Sequence, residues 1–203
     1  MHSAWADIAT HKPFKVGQIL DVQDRKVVTF QQIQSHLLNM DIVYIGETHY
    51  TPSHIKAAIQ ILTALLDNGQ KPLLGMEMFS WDGQGALDQW INKKIKTREL
   101  FLAESHWQTN WGGEYEAYAP LAHFAQAHSL SLMALNPPRS LVRKIASQGL
   151  KAIGNDPEIM QWNIPFPFPL DDPEYRSVIY EQIEKCHRGL STEVYERIYE
   201  ASV

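Results

Sequence analysis

The sequence lacks most of the features that identify a functional class at once. Its 203 residues contain a single cysteine, Cys186, so an intrachain disulfide is excluded, and no motif around this thiol indicates catalysis. No apolar run approaches the roughly 20 residues that span a bilayer. There is no Gly-rich phosphate loop, no Gly-x-Ser-x-Gly elbow and no His-Glu-x-x-His metal motif. Eighteen Lys plus Arg against 23 Asp plus Glu give a net charge of −5, which argues against a nucleic-acid binder, because such proteins need a basic face.

The start of the chain also lacks the marks of a secretory signal. Residues 1–7 have neither a basic beginning nor an apolar middle, and no early cysteine could carry a lipid. The sequence therefore indicates either a cytoplasmic protein or one whose targeting segment has been replaced by Met1.

Strand-like and helix-like segments alternate through the middle of the chain, from Asp41 to Gly149. Asp41–Gly46 is strongly apolar, as strands buried on both faces of a parallel sheet are. Alternation of this kind is typical of βαβ units, so we predict an α/β fold with a mainly parallel sheet flanked by helices. The other predicted strands are 17–20, 26–29, 72–78 and 130–135, and the predicted helices are 29–38, 52–68, 84–92, 97–103, 114–127 and 138–148.

The C-terminal part differs from this pattern. Prolines at alternating positions within 163–169 predict an extended, polyproline-like crossing, followed by helices over 173–185 and 192–203. We predict a single domain over 1–203, with a flexible N-terminus (1–15) and a helical C-terminal part (170–203). The last helix has no stop signal, so the sequence leaves open whether the chain is truncated at Val203.

Polar side chains follow three of the predicted strands. Ligands of parallel sheets bind outside the carboxyl ends of the strands, so Glu47, His49, Glu77, Asn136 and Arg139 are expected to line one polar crevice. These residue types could ligate a divalent metal, perform general acid–base catalysis or hold a charged ligand. An internal ion-pair network in which Arg139 neutralises a glutamate is the alternative without a function.

Aromatic residues are dense between Glu104 and Tyr118. Their rings suit a porphyrin, and they suit a dimer interface or an aromatic core equally well. His54 lies five residues after His49, which is not the spacing of a helical metal pair, so it is interpreted as a surface histidine.

The ordered set of motifs resembles the ChaN-like haem-binding uptake family, a branch of the Tiki/TraB superfamily. The resemblance covers nearly the whole chain from about Gly17, and it depends on the order of the motifs rather than on any one of them. The motifs are Val43–His49, Gly75–Phe79, Trp107 with Asn110–Gly112, Tyr118–Leu121, Ala134–Arg139, Val142–Ala146 with Gly149–Leu150, and Leu170–Tyr175.

This resemblance implies an α/β fold with a helical insertion or lid, and haem as the ligand in iron uptake. It also implies a homodimer that buries two haems face to face, an outer-membrane uptake system as partner, and a periplasmic or outer-membrane-associated location. A tyrosine oxygen would hold each iron. The ligand candidates are Tyr50, as first choice, Tyr115 and Tyr118, and the histidines that could meet a propionate are His49, His54 and His106.

Hydrolases of the same superfamily suggest a second hypothesis. Metal-dependent proteases and erythromycin-esterase-like enzymes use Glu and His residues at positions like Glu47, His49 and Glu77, so the alternative is a metal-dependent hydrolase in which these three are catalytic and metal-binding. Those relatives also use a later histidine, after a further strand, which this sequence does not reach.

Overall fold

The computed structural model describes residues 15–164, 172–186 and 189–202. Most of the predicted flexible N-terminus and of the polyproline crossing, and the side chain of Cys186, lie outside the described residues. By their contacts the described residues form two compact units. The first unit contains residues 15–73 and 114–130, and the second contains 74–113 and the described residues from 131 onward.

The described elements are four short strands, ten α-helices and three short 3₁₀ helices, which together confirm the predicted α/β class. The strands are β1 (Ile19–Asp21), β2 (Lys26–Val28), β3 (Leu74–Ser80) and β4 (Leu132–Asn136). The helices are α1 (Phe30–Leu37), α2 (Pro52–Asp67), α3 (Gln84–Ile91), α4 (Arg98–Glu104), α5 (Trp107–Asn110), α6 (Ala119–His128), α7 (Arg139–Gln148), α8 (Pro157–Gln161), α9 (Pro173–Cys186) and α10 (Thr192–Ser202). Every described helix is too short or too polar to traverse a lipid bilayer.

The first unit begins with a small antiparallel hairpin of β1 and β2, within one or two residues of the predicted strands. Thr29 then caps α1 as predicted, because its hydroxyl accepts from the backbone N–H of Gln32, whose own side chain accepts from the N–H of Thr29. The side chain of Gln70 donates to the carbonyl of Leu38 at 2.9 Å, which fastens the end of α1 to the residues after α2.

The predicted strand Asp41–Gly46 is wrong. Residues 42–48 form no regular element, and Ile42 and Tyr44 are 66% and 89% exposed instead of buried. A strand is stabilised by its ladder and by the surface it covers. Among the described residues of the first unit, β1 and β2 form a sheet of only two strands, so neither pairs with this segment.

The predicted helix over 114–127 begins later than expected. A short 3₁₀ turn spans Tyr115–Ala117, and α6 follows it with Pro120 in its first turn. Proline has no N–H to donate and restricts the residue before it, so it favours a helix start at this point over continuation of an earlier helix.

In the second unit β3 and β4 lie side by side and parallel, as predicted for these two segments. Leu74 is opposite Leu132 and Ser80 is opposite Asn136, with one irregularity between Met76 and Ser80. This register brings the carboxyl ends of both strands to the same edge.

The core of the second unit contains an aromatic cluster and an aliphatic cluster. Phe101 is fully buried, with its ring 4.7 Å from Trp90 and 5.6 Å from Phe79, while Trp107 lies 5.2 Å from Phe79. A separate aliphatic cluster is buried around α7. Its members are Leu141, Ile145, Leu150, Ile153 and Ile159.

Candidate functional site

A hydrogen-bonded cluster in the first unit joins three of the residues singled out from the sequence. The side chain of Glu47 is only 10% exposed, and its Oε1 lies 2.8 Å from Nδ1 of His49. The hydroxyl of Tyr118 donates to the same oxygen at 2.6 Å. One carboxylate oxygen therefore orients both an imidazole and a phenol.

Tyr118 is held in its neutral form within this cluster. Tyr118 is fully buried, and this burial raises the pKa of its hydroxyl well above the ordinary value. The hydrogen bond to Glu47 raises the pKa further. The N–H of Tyr50 donates to the phenol oxygen and opposes this rise in pKa only partly. A neutral phenol acts as a hydrogen-bond donor and does not readily ionise to a phenolate.

Tyr50 has an uncommon backbone conformation for a large aromatic residue. Its φ of 61° lies in the left-handed region, which costs free energy for a residue other than glycine. The 3.3 Å hydrogen bond from its N–H to Tyr118 stabilises this conformation, and the two rings meet edge to face with centroids 5.7 Å apart. Unlike Tyr118, Tyr50 is 44% exposed, so its phenol oxygen belongs to an accessible ring.

The second oxygen of Glu47 retains hydrogen-bonding capacity. Oε2 is buried, and no donor among the described residues reaches it. A buried carboxylate oxygen without a donor is costly, so this position would accept a hydrogen bond from an added ligand.

His54 lies next to the same segment, half-buried at the start of α2. Its Nδ1 accepts from the backbone N–H of Thr48 at 2.9 Å, which requires that nitrogen to be unprotonated. His54 therefore supports the loop between Glu47 and His49, in addition to any contact with a ligand. This contact makes it more than the surface histidine predicted from its spacing.

The remaining haem-ligand candidates differ strongly in accessibility. Tyr115, in the first unit, is only 3% exposed. His106, in the second unit, is exposed and has a left-handed φ of 54° immediately before α5.

Glu77, Asn136 and Arg139 lie together in the second unit, along a cavity of about 580 Å³. The side-chain amide of Asn136 donates to the carbonyl of Glu77 at 2.6 Å and so joins the ends of β3 and β4. The backbone N–H of Arg139 donates to Oδ1 of Asn110 at 3.0 Å. Glu77 is exposed, in contrast to the apolar surroundings that its neighbours in the sequence indicated.

Sequence reasoning missed two residues that organise these positions. The sequence indicates Tyr118 only as an iron-ligand candidate, whereas in the structure it connects Glu47 to Tyr50. The predicted site does not include Asp82, which accepts from Asn110 at 3.1 Å and also contacts Ser80. The Ser-x-Asp spacing after β3 was an available signal for the second of these, since such residues form local turns.

The roles predicted for these side chains have unequal support. A carboxylate that orients a histidine through Nδ1 is common at metal sites and at acid–base sites alike, so the Glu47–His49 pair does not choose between a ligand site and a catalytic site. The hydrolase alternative, with a divalent metal on Glu47, His49 and Glu77, gains no support from the relatives described next and stays a prediction.

The sequence of this chain is similar to those of known proteins. Residues 33–203 match the family described as haem-binding uptake, Tiki superfamily, ChaN. The chain is 24% identical over 129 residues to Protein RETICULATA-RELATED 5, chloroplastic, of Arabidopsis thaliana, a match that covers 61% of this chain and 17% of that protein.

A solved structure described as cofacial heme binding to ChaN of Campylobacter jejuni has a similar fold. The TM-score is 0.67 at 19% identity, over 91% of this chain and 69% of that chain. At this identity the likeness shows a common fold. Because the family match extends over most of its length, the chain belongs to the ChaN family of haem-binding uptake proteins in the Tiki superfamily.

Proposed function

We propose that this protein binds haem for iron uptake without turnover, and that Tyr50 supplies the oxygen that holds the iron. The observation that carries the proposal is the contrast between Tyr50 and the two other candidate tyrosines. Tyr50 is 44% exposed, whereas Tyr115 and Tyr118 are 3% and 0% exposed. Membership of the ChaN family supplies haem as the ligand.

The residues around Tyr50 fit this ligand. Haem, when bound, supplies a ferric iron that accepts an anionic oxygen, and tyrosine is an established iron ligand in haem proteins. Tyr118 is unsuited to that role, since its raised pKa keeps it protonated. It is suited to positioning, because it fixes the backbone of Tyr50 and has its own proton directed to Glu47.

His49 would act beside the ligand. Its ring is 49% exposed and lies edge to face with Tyr50, with centroids 6.2 Å apart. Glu47 orients it through Nδ1 at 2.8 Å, and an imidazole N–H can donate a hydrogen bond to an anionic group. A haem propionate is such a group, so His49 is the residue we assign to it.

The proposal includes a homodimer. Next to the Glu47 cluster, the exposed segment 42–45 presents Ile42, Tyr44 and Ile45, which are 66%, 89% and 40% exposed. A row of exposed apolar side chains favours coverage by another surface. A second copy of the chain would provide it and would bring two haem sites close together, in keeping with the cofacial heme binding described for ChaN of Campylobacter jejuni.

A haemin titration followed by absorbance tests the ligand. Wild-type protein should give a saturable Soret shift, and Tyr50→Phe should weaken binding by about tenfold or more, because the anionic oxygen is lost. Tyr44→Phe is the matched control, since Tyr44 is another exposed tyrosine of the same unit and the change keeps the apolar ring that the proposed interface would cover, so it should bind haemin like wild type. Tyr115→Phe should also bind haemin like wild type, because it retains Tyr50.

Two results would count against the proposal. Wild-type protein without a saturable Soret shift would remove haem binding itself. Equal spectra and affinities for wild type and Tyr50→Phe would retain haem binding and reject Tyr50 as the ligand. Light scattering with and without haemin checks the dimer separately, and a Tyr44→Ser protein that remains as dimeric as wild type would reject the segment 42–45 as the interface.

A further inference from the structure

The cavity of about 580 Å³ in the second unit has features that the proposed haem site does not use. Its volume lies within the range of small-molecule sites, about 300–1,000 Å³. Leu141 and Ile145 of α7 belong to the apolar wall and are themselves buried in the aliphatic cluster. The indole rings of Trp81 and Trp111 add flat apolar surface.

Part of the lining of this cavity is polar and exposed. Asn136 and Arg139 belong to this part. In the parts of the chain that the structure describes, no carboxylate forms an ion pair with Arg139. An exposed guanidinium without an ion pair in the lining of a largely apolar cavity is suited to recognising a carboxylate, with which it forms two parallel hydrogen bonds.

The backbone that carries Arg139 is held firmly. Its N–H donates to Oδ1 of Asn110 at 3.0 Å, and the amide of Asn110 donates to Asp82 at 3.1 Å. This chain of hydrogen bonds fixes the first residue of α7 against the last residue of α5 and a residue that follows β3. The guanidinium therefore extends from a preorganised position, which reduces the entropy lost on binding.

The two acidic residues of the lining are already engaged. Oε2 of Glu200 accepts from the backbone N–H of Leu150 at 2.6 Å. Glu77 also has an interaction partner. Among the described residues that line the cavity, Arg139 is the only cationic side chain.

We propose that this cavity binds an amphipathic monocarboxylate, with the carboxylate on Arg139 and the apolar body against Leu141 and Ile145. The proposal does not depend on haem binding. Aliphatic acids and flat aromatic acids both combine a carboxylate with an apolar body. The lining has aliphatic side chains as well as two indole rings, so a ligand of either type fits the proposal.

Displacement of a fluorescent fatty acid, 11-(dansylamino)undecanoic acid, tests the site in the full chain. Dodecanoate and 2-naphthoate represent the aliphatic and aromatic acids, and dodecanol and dodecylamine carry the same apolar body without the carboxylate. We expect at least one acid to displace the probe, and the alcohol and amine to be weaker by about tenfold or more, because a charge-assisted hydrogen bond is lost. Whichever acid displaces at lower concentration identifies the type.

Variants locate the binding. Arg139→Gln should lower the affinity for the acid that displaces the probe at lower concentration by about tenfold or more. The affinity for dodecanol should hardly change. Arg143→Gln is the matched control, because Arg143 is exposed on the same helix and does not line the cavity, and it should bind like wild type. Val142→Phe, which places a larger side chain in the cavity, should weaken the acid and the alcohol alike.

Three outcomes would overturn the proposal. The first is equal displacement by dodecanoate and dodecanol. The second is unchanged affinity of the acid for Arg139→Gln protein that unfolds at the wild-type temperature. The third is displacement of the probe by haemin far below the concentration of either acid, with Arg139→Gln abolishing it, since that would make the cavity a haem site.

Discussion

The aromatic cluster of the second unit and the Glu47–Tyr50 segment of the first unit are stabilised in different ways. In the second unit, large aromatic rings around Phe101 pack against one another with almost no exposure. In the first unit, the segment that carries Glu47 and Tyr50 is largely exposed, and side-chain hydrogen bonds hold its conformation. Packing of this kind sets global stability, whereas a few directional bonds can fix the geometry of a site without a large core.

The difference indicates where substitutions separate stability from binding. A cavity in the aromatic core should unfold the protein without changing any group that could meet a ligand. Loss of one hydroxyl in the first unit should lower stability less than such a cavity does, and it should lower haemin affinity more. The following substitutions test this contrast.

The largest effect on stability is expected for Phe101→Ala. Its ring is fully buried between Trp90 and Phe79, so its removal leaves a cavity and should lower the free energy of unfolding by about 3–5 kcal/mol. Urea unfolding followed by fluorescence measures this change. Leu100→Ala on the same helix α4 is the control, since Leu100 is 45% exposed, and should cost less than about 1 kcal/mol. Equal losses in the two variants would show that the aromatic cluster does not dominate stability.

An intermediate effect is expected for Tyr118→Phe. The change removes the donor to Glu47 and the acceptor for the N–H of Tyr50, and it leaves a carboxylate that is mostly buried with fewer partners. Stability should fall by about 1–3 kcal/mol. Haemin affinity should fall as well, because the left-handed conformation of Tyr50 loses its support.

Tyr44→Phe provides the comparison for that variant, since Tyr44 is 89% exposed and its hydroxyl should contribute almost nothing to stability. Urea unfolding and haemin titration should be carried out on both proteins. A Tyr118→Phe protein with wild-type stability and wild-type haemin affinity would contradict the positioning role.

Alkaline pH offers a third test of the first unit. The pKa of Tyr118 is raised in the folded protein, first by burial and then by Glu47, so the folded state keeps its proton at a pH where the unfolded chain releases it. The resulting stabilisation is complete below the unfolded pKa of about 10 and is lost as pH rises toward the folded pKa. Above pH 10 this residue alone should reduce stability by about 1.4 kcal/mol per pH unit.

The measurement is the free energy of unfolding in urea between pH 9 and pH 11. Tyr118→Phe should lose less stability over this interval than wild type, whereas Tyr44→Phe should follow wild type. Parallel curves for all three proteins would show that the hydroxyl of Tyr118 titrates alike in the folded and unfolded states.

Much of the fold could be predicted because its signals are local. Thr29 and Gln32 form the capping box that their spacing indicates, and α2 begins at Pro52 as predicted. The parallel pairing of β3 with β4 followed from two apolar runs separated by helices. In each case the information lies within a few residues of the element.

What could not be predicted depends on contacts between distant residues. The hydrogen bond from Tyr118 to Glu47 joins positions 71 residues apart, and no spacing rule reports it. The apolar composition of Asp41–Gly46 is compatible with a strand, yet a strand also requires a partner edge, which composition does not reveal. For the same reason, sequence order predicted polar residues at strand ends but not which hydrogen bonds they would form.

The smallest expected effect comes from two threonines of the first unit that differ only in their place on a helix. Thr29→Ala removes the cap of α1 and should cost about 1 kcal/mol, because the N–H of Gln32 loses its acceptor. Thr63 lies exposed within α2, where its hydroxyl donates to the carbonyl of Ile59, so Thr63→Ala should be neutral or slightly stabilising. Urea unfolding of both variants measures the difference. A cap that contributes as expected would show that α1 depends on a local signal, whereas equal stability of the two proteins would mean that contacts such as Gln70 to Leu38 hold α1 in place without it.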